Sequence, residues 1–326
     1  MKFSVIIPLY NKAPYVSKAI DSVLAQTLAD YELIIVDDGS GDDSADVALK
    51  AIKDFPQCRL IRQENAGVSM ARNNGVAVSH GDYLCFLDAD DWWSPSFLEE
   101  LSNLIAEFPD AGIYGTGYTI VNETKRYTHV SPIGVEQGFE KGYINYCQVY
   151  AKTLAMPLTS ISVAVPRLVF DEMNGFPKGV RFGEDFLLWI RIALSHKVAF
   201  LNKPLAYYNQ DADASHRAIG KLYDPNEHML WNLGDLEPLE ITNMDYKQLI
   251  DALRTCSLMP YYLSNDYRQA AMSELAKVDW SLQSDQTKRE YKRPIGLLKL
   301  KYSLLRIGSN IKRKLISITN GKTSNN

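Results

Sequence analysis

The chain has 326 residues, a hydrophobic share of 46 % and a formal net charge of −4 at pH 7. This length suits one large or two modest domains, and the apolar share is ordinary for a globular protein with a real core. No apolar run approaches the length of a membrane span, and the four cysteines lack the Cys-x-x-Cys spacing of a zinc site. These features argue against a membrane-spanning protein, a zinc module and a disulfide framework, and they predict a reducing, cytoplasmic location.

Charge is distributed unevenly along the chain. Residues 288–326 carry eleven Lys and Arg against one Glu, a net charge of +10, whereas the other 287 residues carry 24 against 38, a net charge of −14. A basic tail on an acidic body predicts an anionic partner for the tail.

The first ninety residues predict strands that alternate with helices. The predicted strands lie at 3–8, 32–36, 59–61 and 83–87, and the predicted helices at 14–26, 44–53 and 68–79. Strands that are apolar on both faces and alternate with helices are typical of an α/β fold with a mostly parallel sheet covered by helices. In such sheets, ligands bind at the carboxyl ends of the strands.

Three of the predicted strand ends carry polar side chains to one edge, namely Tyr10, Asp38 and the pair Asp88 and Asp90. Carboxylates are costly to desolvate unless a cation meets them, and Mg²⁺ or Mn²⁺ binds carboxylate and phosphate oxygens together. An aromatic ring, a lone carboxylate and a metal-binding pair therefore predict a nucleotide-diphosphate site. The alternative interpretation is that residues 37–40 and one of the three aspartates after the fourth strand only form turns or a helix cap.

Beyond Asp91 the pattern changes. A helix is predicted at 95–108, strands at 111–121, 125–130 and 160–165, a loop at 131–146, a helix at 186–195, and helical segments from about 226 onward. Neither a Gly-x-Gly-x-x-Gly sequence after the first strand nor a P-loop sequence is present, which disfavours a dinucleotide-binding or P-loop protein.

The C-terminal segment carries an apolar stripe at helical spacing. Its members are Leu297, Leu300, Leu304, Ile307, Ile311 and Leu315. Basic residues lie beside the stripe, so residues 288–316 are predicted to dock on an anionic membrane surface, at the inner face of the membrane. The alternative is an ordinary helix packed on the acidic body. The chain from Thr319 onward is predicted to be disordered.

Five motifs, in order, resemble family 2 glycosyltransferases of the GT-A fold, over roughly residues 1–215. They are Ser4–Pro8 with Tyr10-Asn11-Lys12, Ile35–Ser40, Asn65-Ala66-Gly67 with Ala71-Arg72-Asn73, Asp88-Ala89-Asp90-Asp91, and Gly183-Glu184-Asp185 with Leu188-Trp189-Ile190-Arg191. The resemblance implies a catalytic domain at 1–215, and the helical segments beyond it predict a helical C-terminal region at 216–326.

The resemblance also implies roles for individual residues. Pro8 and Tyr10 would border the nucleotide base, Asp38 would accept a hydrogen bond from it, and Arg72 would lie near the base and diphosphate. The metal would be held by Asp90, and Asp88 would face the ribose and the metal. Asp185 would be the general base that deprotonates the acceptor hydroxyl, with Glu184 beside it in the acceptor region.

The implied reaction is inverting transfer of a sugar from a nucleotide-diphospho-sugar donor, with UDP as the expected nucleotide and a divalent metal as cofactor. The acceptor would be a hydroxyl of a glycan or lipid-linked molecule in cell-surface polysaccharide biosynthesis, and no nucleic-acid partner is expected. The Gln-x-x-Arg-Trp motif of processive synthases is missing, which favours transfer of one sugar. Two alternatives stay open: a sugar nucleotidyltransferase, which would need a Gly-rich phosphate loop after the first strand, and a non-catalytic carbohydrate-binding protein.

Overall fold

The computed structural model describes residues 2–122, 126–129, 138–210, 221–302 and 304. The chain forms two compact units, Met1–Ile250 and Asp251–Asn326. The helical segments between residues 225 and 250 thus group with the first unit. The division into a catalytic domain at 1–215 and a C-terminal region at 216–326 stays a prediction.

Four parallel strands form the first half of the sheet, in the spatial order β3-β2-β1-β4. They are β1 (Phe3–Leu9), β2 (Tyr31–Asp37), β3 (Cys58–Arg62) and β4 (Tyr83–Phe86), and the connecting helices are α1 (Val16–Leu24), α2 (Ser44–Ile52) and α3 (Val68–Val78). Every residue of β2, and every residue of β1 except Pro8, is buried, as the apolar runs require. The predicted parallel, helix-covered sheet is confirmed here.

The second half of the sheet is mixed. It contains β5 (Trp92–Trp93), β6 (Ala111–Val121), β7 (Arg126–His129), β8 (Lys141–Ile144), β9 (Val163–Pro166) and β10 (Lys197–Asn209), with helices α4 (Phe97–Glu107), α5 (Tyr146–Thr153), α6 (Arg167–Glu172) and α7 (Glu184–Ser195). The order continues from β4 as β9-β6-β10-β5, with β9 antiparallel to both β4 and β6. The next α-helices along the chain are α8 (Leu239–Thr242) and α9 (Met244–Ser257).

Two details of this half depart from the predicted elements. Residues Ser160–Ser162 form a 3₁₀ turn rather than the start of a strand, because Thr159 and Ser162 close a capping box at that point. The long strand β10 is not among the predicted strands, and its register against β6 shifts near Pro204. Strand β7, within the predicted strand at 125–130, pairs antiparallel with β6.

Helix α3 approaches the sheet closely at a glycine. A Cβ atom at Gly75 would come within 2.6 Å of Ile6 Cγ2 and 3.1 Å of Val36 Cγ2, so a side chain there requires the strands or the helix to shift. The small residue sets the distance between α3 and strands β1 and β2. That distance fixes the position of Arg72, which lies on α3 and is 2 % exposed.

The second unit is helical in the part of the chain that the structure describes. It includes α10 (Met259–Leu263), α11 (Arg268–Leu275), α12 (Asp285–Tyr291) and a helical segment at residues 295–302. A buried arginine, Arg254, contacts Glu274 at 3.2 Å and Asp251 at 3.5 Å. Among the described residues, no helix is long and apolar enough to cross a membrane. The predicted elements at 305–316, the disordered tail from Thr319 and residues 131–137 of the predicted loop lie outside the described residues. The loop predicted at 131–146 is wrong at 141–144, which form β8.

Candidate active site

The loops that follow β1 and β2 are tied together by hydrogen bonds. The backbone N–H of Asn11 donates to Ser40 Oγ at 3.1 Å, that of Lys12 donates to Ser44 Oγ at 2.7 Å, and that of Gly41 donates to Asn11 Oδ1 at 2.8 Å. These bonds hold the main chain after Pro8 at the carboxyl edge of the sheet. Tyr10 lies in this loop with 40 % of its surface exposed.

Asp38 joins the end of β2 to the loop before α3. Its Oδ1 accepts hydrogen bonds from Gln63 Nε2 at 2.7 Å and Ala66 N at 2.8 Å, and its Oδ2 accepts one from Gly67 N at 2.9 Å. The side chain is 4 % exposed. Asp38 therefore supports the loop structurally, and its predicted hydrogen bond with a nucleotide base stays a prediction.

The carboxylates after β4 face two cations. Lys12 Nζ lies 2.7 Å from Asp90 Oδ2, and Arg72 Nη2 lies 2.7 Å from Asp88 Oδ1. The side chain of Asp88 is 34 % exposed and that of Asp90 is 20 % exposed, so both are open to a ligand. The strand ends thus converge as predicted, with each carboxylate of the pair already balanced by a positive charge.

Asp91, the third carboxylate, is turned into the protein. It is 1 % exposed, its Oδ1 accepts a hydrogen bond from Asn209 N at 2.7 Å, and its Oδ2 has no hydrogen-bond partner. Burial, together with the charges of Asp90 and Asp88, raises its pKa well above the usual value. Asp91 joins the end of β4 to the end of β10, so it has a structural role that the sequence alone leaves open.

Arg72 connects the two sides of the site. Its guanidinium lies between Asp88 and Glu184, whose Oε1 is 3.0 Å from Nη1, and it lies 5.1 Å above the ring of Phe176. Burial alone would lower the pKa of this guanidinium, but the charges of Asp88, Glu184 and Asp185 raise it above its usual value. The arginine is therefore a permanent cation that holds the start of α7 against the end of β4.

The two carboxylates that open α7 have different surroundings. Burial and then the charge of Asp185 raise the pKa of Glu184 to about 7, in spite of Arg72. Asp185 Oδ2 accepts a hydrogen bond from Ser160 Oγ at 2.9 Å, and its Oδ1 accepts one from Phe186 N at 2.9 Å. Burial raises the pKa of Asp185, although Arg72 and these two hydrogen bonds oppose the shift.

The position of Asp185 in the first turn of α7 acts on its pKa in the opposite direction to burial. The amide of Phe186 does favour the ionised form, but burial outweighs it. A raised pKa makes the carboxylate a stronger base once it is ionised.

The surroundings of Asp88 and Asp90 fit a hard divalent cation. Both offer partly exposed carboxylate oxygens, the ligands that Mg²⁺ and Mn²⁺ prefer. Among the described residues, no three His, Cys, Asp or Glu side chains are grouped to hold a metal ion. The protein would thus supply two ligands, with the rest from phosphate oxygens and water, and Lys12 would have to release Asp90.

The structure brings together four of the predicted site residues, with Asp88, Arg72 and Glu184 in direct contact and Asp185 next in the chain. Pro8, Tyr10 and Asp38 lie on the neighbouring strand ends β1 and β2. The sequence analysis missed the ion pair of Lys12 with Asp90 and the hydrogen bond of Ser160 with Asp185. Lys12 lies in a motif already singled out, whereas Ser160 carries no signal except the Thr-x-x-Ser capping pattern around it.

Solved structures share this fold. S. aureus TarS 1–349, crystallised in complex with UDP-GlcNAc, matches with a TM-score of 0.69 at 18 % identity, over 86 % of this chain and 83 % of that one. The same fragment in complex with UDP matches with a TM-score of 0.67. The chain therefore has the GT-A fold of glycosyltransferases.

The family follows from the sequence comparisons. The model described as glycosyl transferase family 2 matches residues 4–163. An uncharacterized glycosyltransferase of Rickettsia felis is 34 % identical over 206 residues, which are 63 % of this chain and 32 % of that protein. Glycosyltransferase GlyA of Streptococcus pneumoniae is 34 % identical over 215 residues, 64 % of this chain and 30 % of that protein. Residues 4–163 of this chain thus match glycosyltransferase family 2, and the chain spans about a third of the length of the curated relatives it matches.

Proposed function

We propose that this protein is an inverting glycosyltransferase that moves one sugar from a UDP-sugar to a hydroxyl group of a glycan or lipid-linked acceptor. The observation that carries the proposal is the contact of Arg72 with both Asp88 and Glu184. It holds the carboxylates of α7 beside the carboxylates at the end of β4. A base for the acceptor and a binding edge for the diphosphate therefore lie within reach of one substrate.

The reaction is a single displacement. The acceptor oxygen attacks the anomeric carbon, the bond from that carbon to the β-phosphate oxygen breaks, and the nucleoside diphosphate leaves with the bonding electron pair. The acceptor proton passes to a carboxylate on the protein. One displacement inverts the configuration at the anomeric carbon, and a positioned base contributes about 10²–10⁴-fold to the rate.

Asp185 is the proposed base. Its Oδ2 is oriented by Ser160, and its raised pKa makes it a better proton acceptor than an ordinary carboxylate. Glu184 is engaged by Arg72, and its pKa of about 7 leaves it partly protonated at neutral pH. We therefore assign Glu184 to positioning in the acceptor region.

The diphosphate is proposed to bind at the edge formed by Asp88, Asp90, Lys12 and Arg72. A divalent metal held by Asp90 and Asp88 would supply Lewis-acid stabilisation of the charge on the leaving diphosphate. Lys12 and Arg72 bring two positive charges to the same place and favour an anionic donor before any reaction occurs. Tyr10 and Pro8 would border the nucleotide base, with Asp38 beneath it.

The class of acceptor follows from where the protein would work. The proposed setting is cell-surface polysaccharide biosynthesis, on the cytoplasmic side, with the protein held peripherally at the membrane. A lipid-linked acceptor gives such a location a purpose. A glycan acceptor in solution is the other member of the proposed class.

The test compares Asp185→Asn with Glu184→Gln in the full chain. Radiolabelled UDP-sugars are screened for transfer and hydrolysis, and donor binding is measured separately by calorimetry. Asp185→Asn is expected to reduce the transfer rate by at least about 10²-fold with donor affinity little changed. Transfer near the wild-type rate in Asp185→Asn would refute the assignment of the base, and pyrophosphate release instead of UDP release would refute the reaction.

A further inference from the structure

The helical segment at residues 295–302 has one apolar side chain turned inward and several turned outward. Leu298 is fully buried, whereas Leu297, Leu300 and Leu304 are 60 %, 58 % and 59 % exposed. At about 100° per residue, the three exposed leucines fall within about 60° of one another around the helix axis. We call the surface formed by Leu297, Leu300 and Leu304 the leucine face.

Single exposed leucines are common on protein surfaces, but an aligned set is not. Leu168, on α6, is a single exposed leucine at 83 % exposure. The leucine face instead presents three side chains along about two turns of one helix. Exposure of such an apolar strip to water is unfavourable in free energy, and contact with an apolar phase is favourable.

The charge around the leucine face is positive. Five of the basic residues in this part of the chain are exposed, namely Arg289, Lys292, Arg293, Lys299 and Lys301. Over residues 288–302, six Lys and Arg against the single Glu290 give a net charge of +5. Lys301 follows Leu297 by four positions, so its aliphatic stem borders the leucine face.

The segment is attached to its own unit by specific contacts. Leu298 is buried, Lys299 Nζ donates a hydrogen bond to Asn265 Oδ1 at 2.9 Å, and Lys301 Nζ lies 2.5 Å from Glu290 Oε1 on α12. The leucine face therefore has a fixed orientation relative to α12. A surface that is ordered beforehand loses little conformational entropy when it binds.

We propose that the leucine face is a docking surface for an anionic phospholipid bilayer, with the leucines inserted between headgroups and the surrounding cations against the lipid phosphates. A narrow apolar strip flanked by Lys and Arg is what an interfacial helix requires. A second copy of this chain is a poorer occupant, because the same cations would face one another across the contact. The proposal concerns binding, and it stands or falls independently of the transfer reaction.

The test uses the full chain and two kinds of vesicle, one of phosphatidylcholine and one of equal parts phosphatidylcholine and phosphatidylglycerol. Co-sedimentation should show binding to the anionic vesicles only. Leu297→Gln/Leu300→Gln should weaken that binding by at least about tenfold, since two insertions are lost. Lys292→Gln/Arg293→Gln should weaken it by about tenfold or more, with less dependence on salt. These side chains are exposed, so near-native thermal unfolding is expected in both variants.

Leu168→Gln is the matched control, because it removes an equally apolar and more exposed leucine on α6. It should bind anionic vesicles as the wild type does, and all three variants should keep wild-type hydrolysis of a UDP-sugar. The proposal would be overturned if Leu297→Gln/Leu300→Gln bound anionic vesicles as the wild type does. It would also be overturned if Leu168→Gln lost as much vesicle binding as the double leucine variant. A third outcome would overturn it too: the wild type self-associates but does not bind vesicles, and the double leucine variant no longer self-associates. That result would assign the leucine face to contact with a second copy.

Discussion

Removal of the Ser160 hydroxyl tests whether Asp185 is the base and whether its surroundings tune it. Ser160 is 4 % exposed, and its Oγ donates the hydrogen bond to Asp185 Oδ2 at 2.9 Å. A hydrogen bond to a charged group contributes about 1.5–3 kcal/mol, and one pKa unit corresponds to about 1.4 kcal/mol. The variant Ser160→Ala should therefore raise the pKa of Asp185 further, because the ionised carboxylate loses a hydrogen-bond donor.

The direction of the change in activity follows from the protonation state that catalysis needs. The hydrogen bond stabilises the ionised carboxylate, so its loss means that a higher pH is required to ionise Asp185. The acid limb of the kcat–pH profile should move upward by about one unit or more. Transfer should be slowed most at acidic pH and should recover toward the wild-type rate at alkaline pH. The KM for the donor should stay unchanged, because Ser160 lies on the α7 side of the site.

The measurement is the pH profile of single-sugar transfer at saturating donor, for Ser160→Ala, Ser160→Thr and Ser79→Ala. Ser160→Thr keeps a hydroxyl and should retain part of the wild-type profile. Ser79→Ala is the control, because it removes a buried hydroxyl that donates to Val76 O at the end of α3 and does not contact Asp185. An equal loss of rate at every pH in Ser160→Ala, with no displacement of the acid limb, would refute the reasoning.

Three further predictions concern the metal edge, the pH dependence of stability and the packing of α3. Asp90→Ala should lose nearly all donor turnover while its circular dichroism stays native, and excess EDTA should abolish wild-type turnover. Full activity of the variant, or of the wild type in EDTA, would refute the metal requirement. The pKa of Glu184 is raised to about 7 in the folded state, so its contribution to stability falls as pH rises from about 4.5 to about 7. The change in Tm caused by Glu184→Gln should then be more favourable at pH 8 than at pH 5, and an equal change at both pH values would contradict the raised pKa. Gly75→Ala should destabilise by about 1–3 kcal/mol in urea unfolding, because its Cβ would meet Ile6. Gly296→Ala, with open space around the new methyl group, should be neutral or stabilising.

The first half of the sheet could be predicted from the sequence because its signals are local. Each buried strand is a short apolar run, and each ends in turn-forming or acidic residues, so the convergence of Asp88 and Asp90 with the end of β1 follows from parallel pairing. The second half is held by pairings between distant residues. The strand β10 has its apolar pattern interrupted near Pro204, and it is recognisable only once β6 lies beside it.

The contacts inside the candidate site could not be predicted because they join remote positions. Arg72 and Glu184 are 112 residues apart, and Lys12 and Asp90 are 78 residues apart. Ser160 was expected in a strand, where alternate side chains face opposite sides of the sheet. The capping box of Thr159 and Ser162 turns the chain there instead, which brings the Ser160 hydroxyl to Asp185. The hydrogen bonds between Thr159 and Ser162 therefore determine the local structure, although three alternating apolar side chains predicted a strand.

The shared arginine limits how this protein can be recombined with its relatives. Arg72 lies on α3, yet it pairs with one carboxylate just after β4 and with another on α7. A chimaera joined between β4 and α7 would pair the arginine of one parent with the helix of another. Where that helix lacks an acidic residue in the position of Glu184, a buried guanidinium would lose half of its counter-charge at a cost of several kcal/mol. Exchange of the two halves among relatives is therefore constrained at this one contact, and functional hybrids should be those in which position 184 remains acidic.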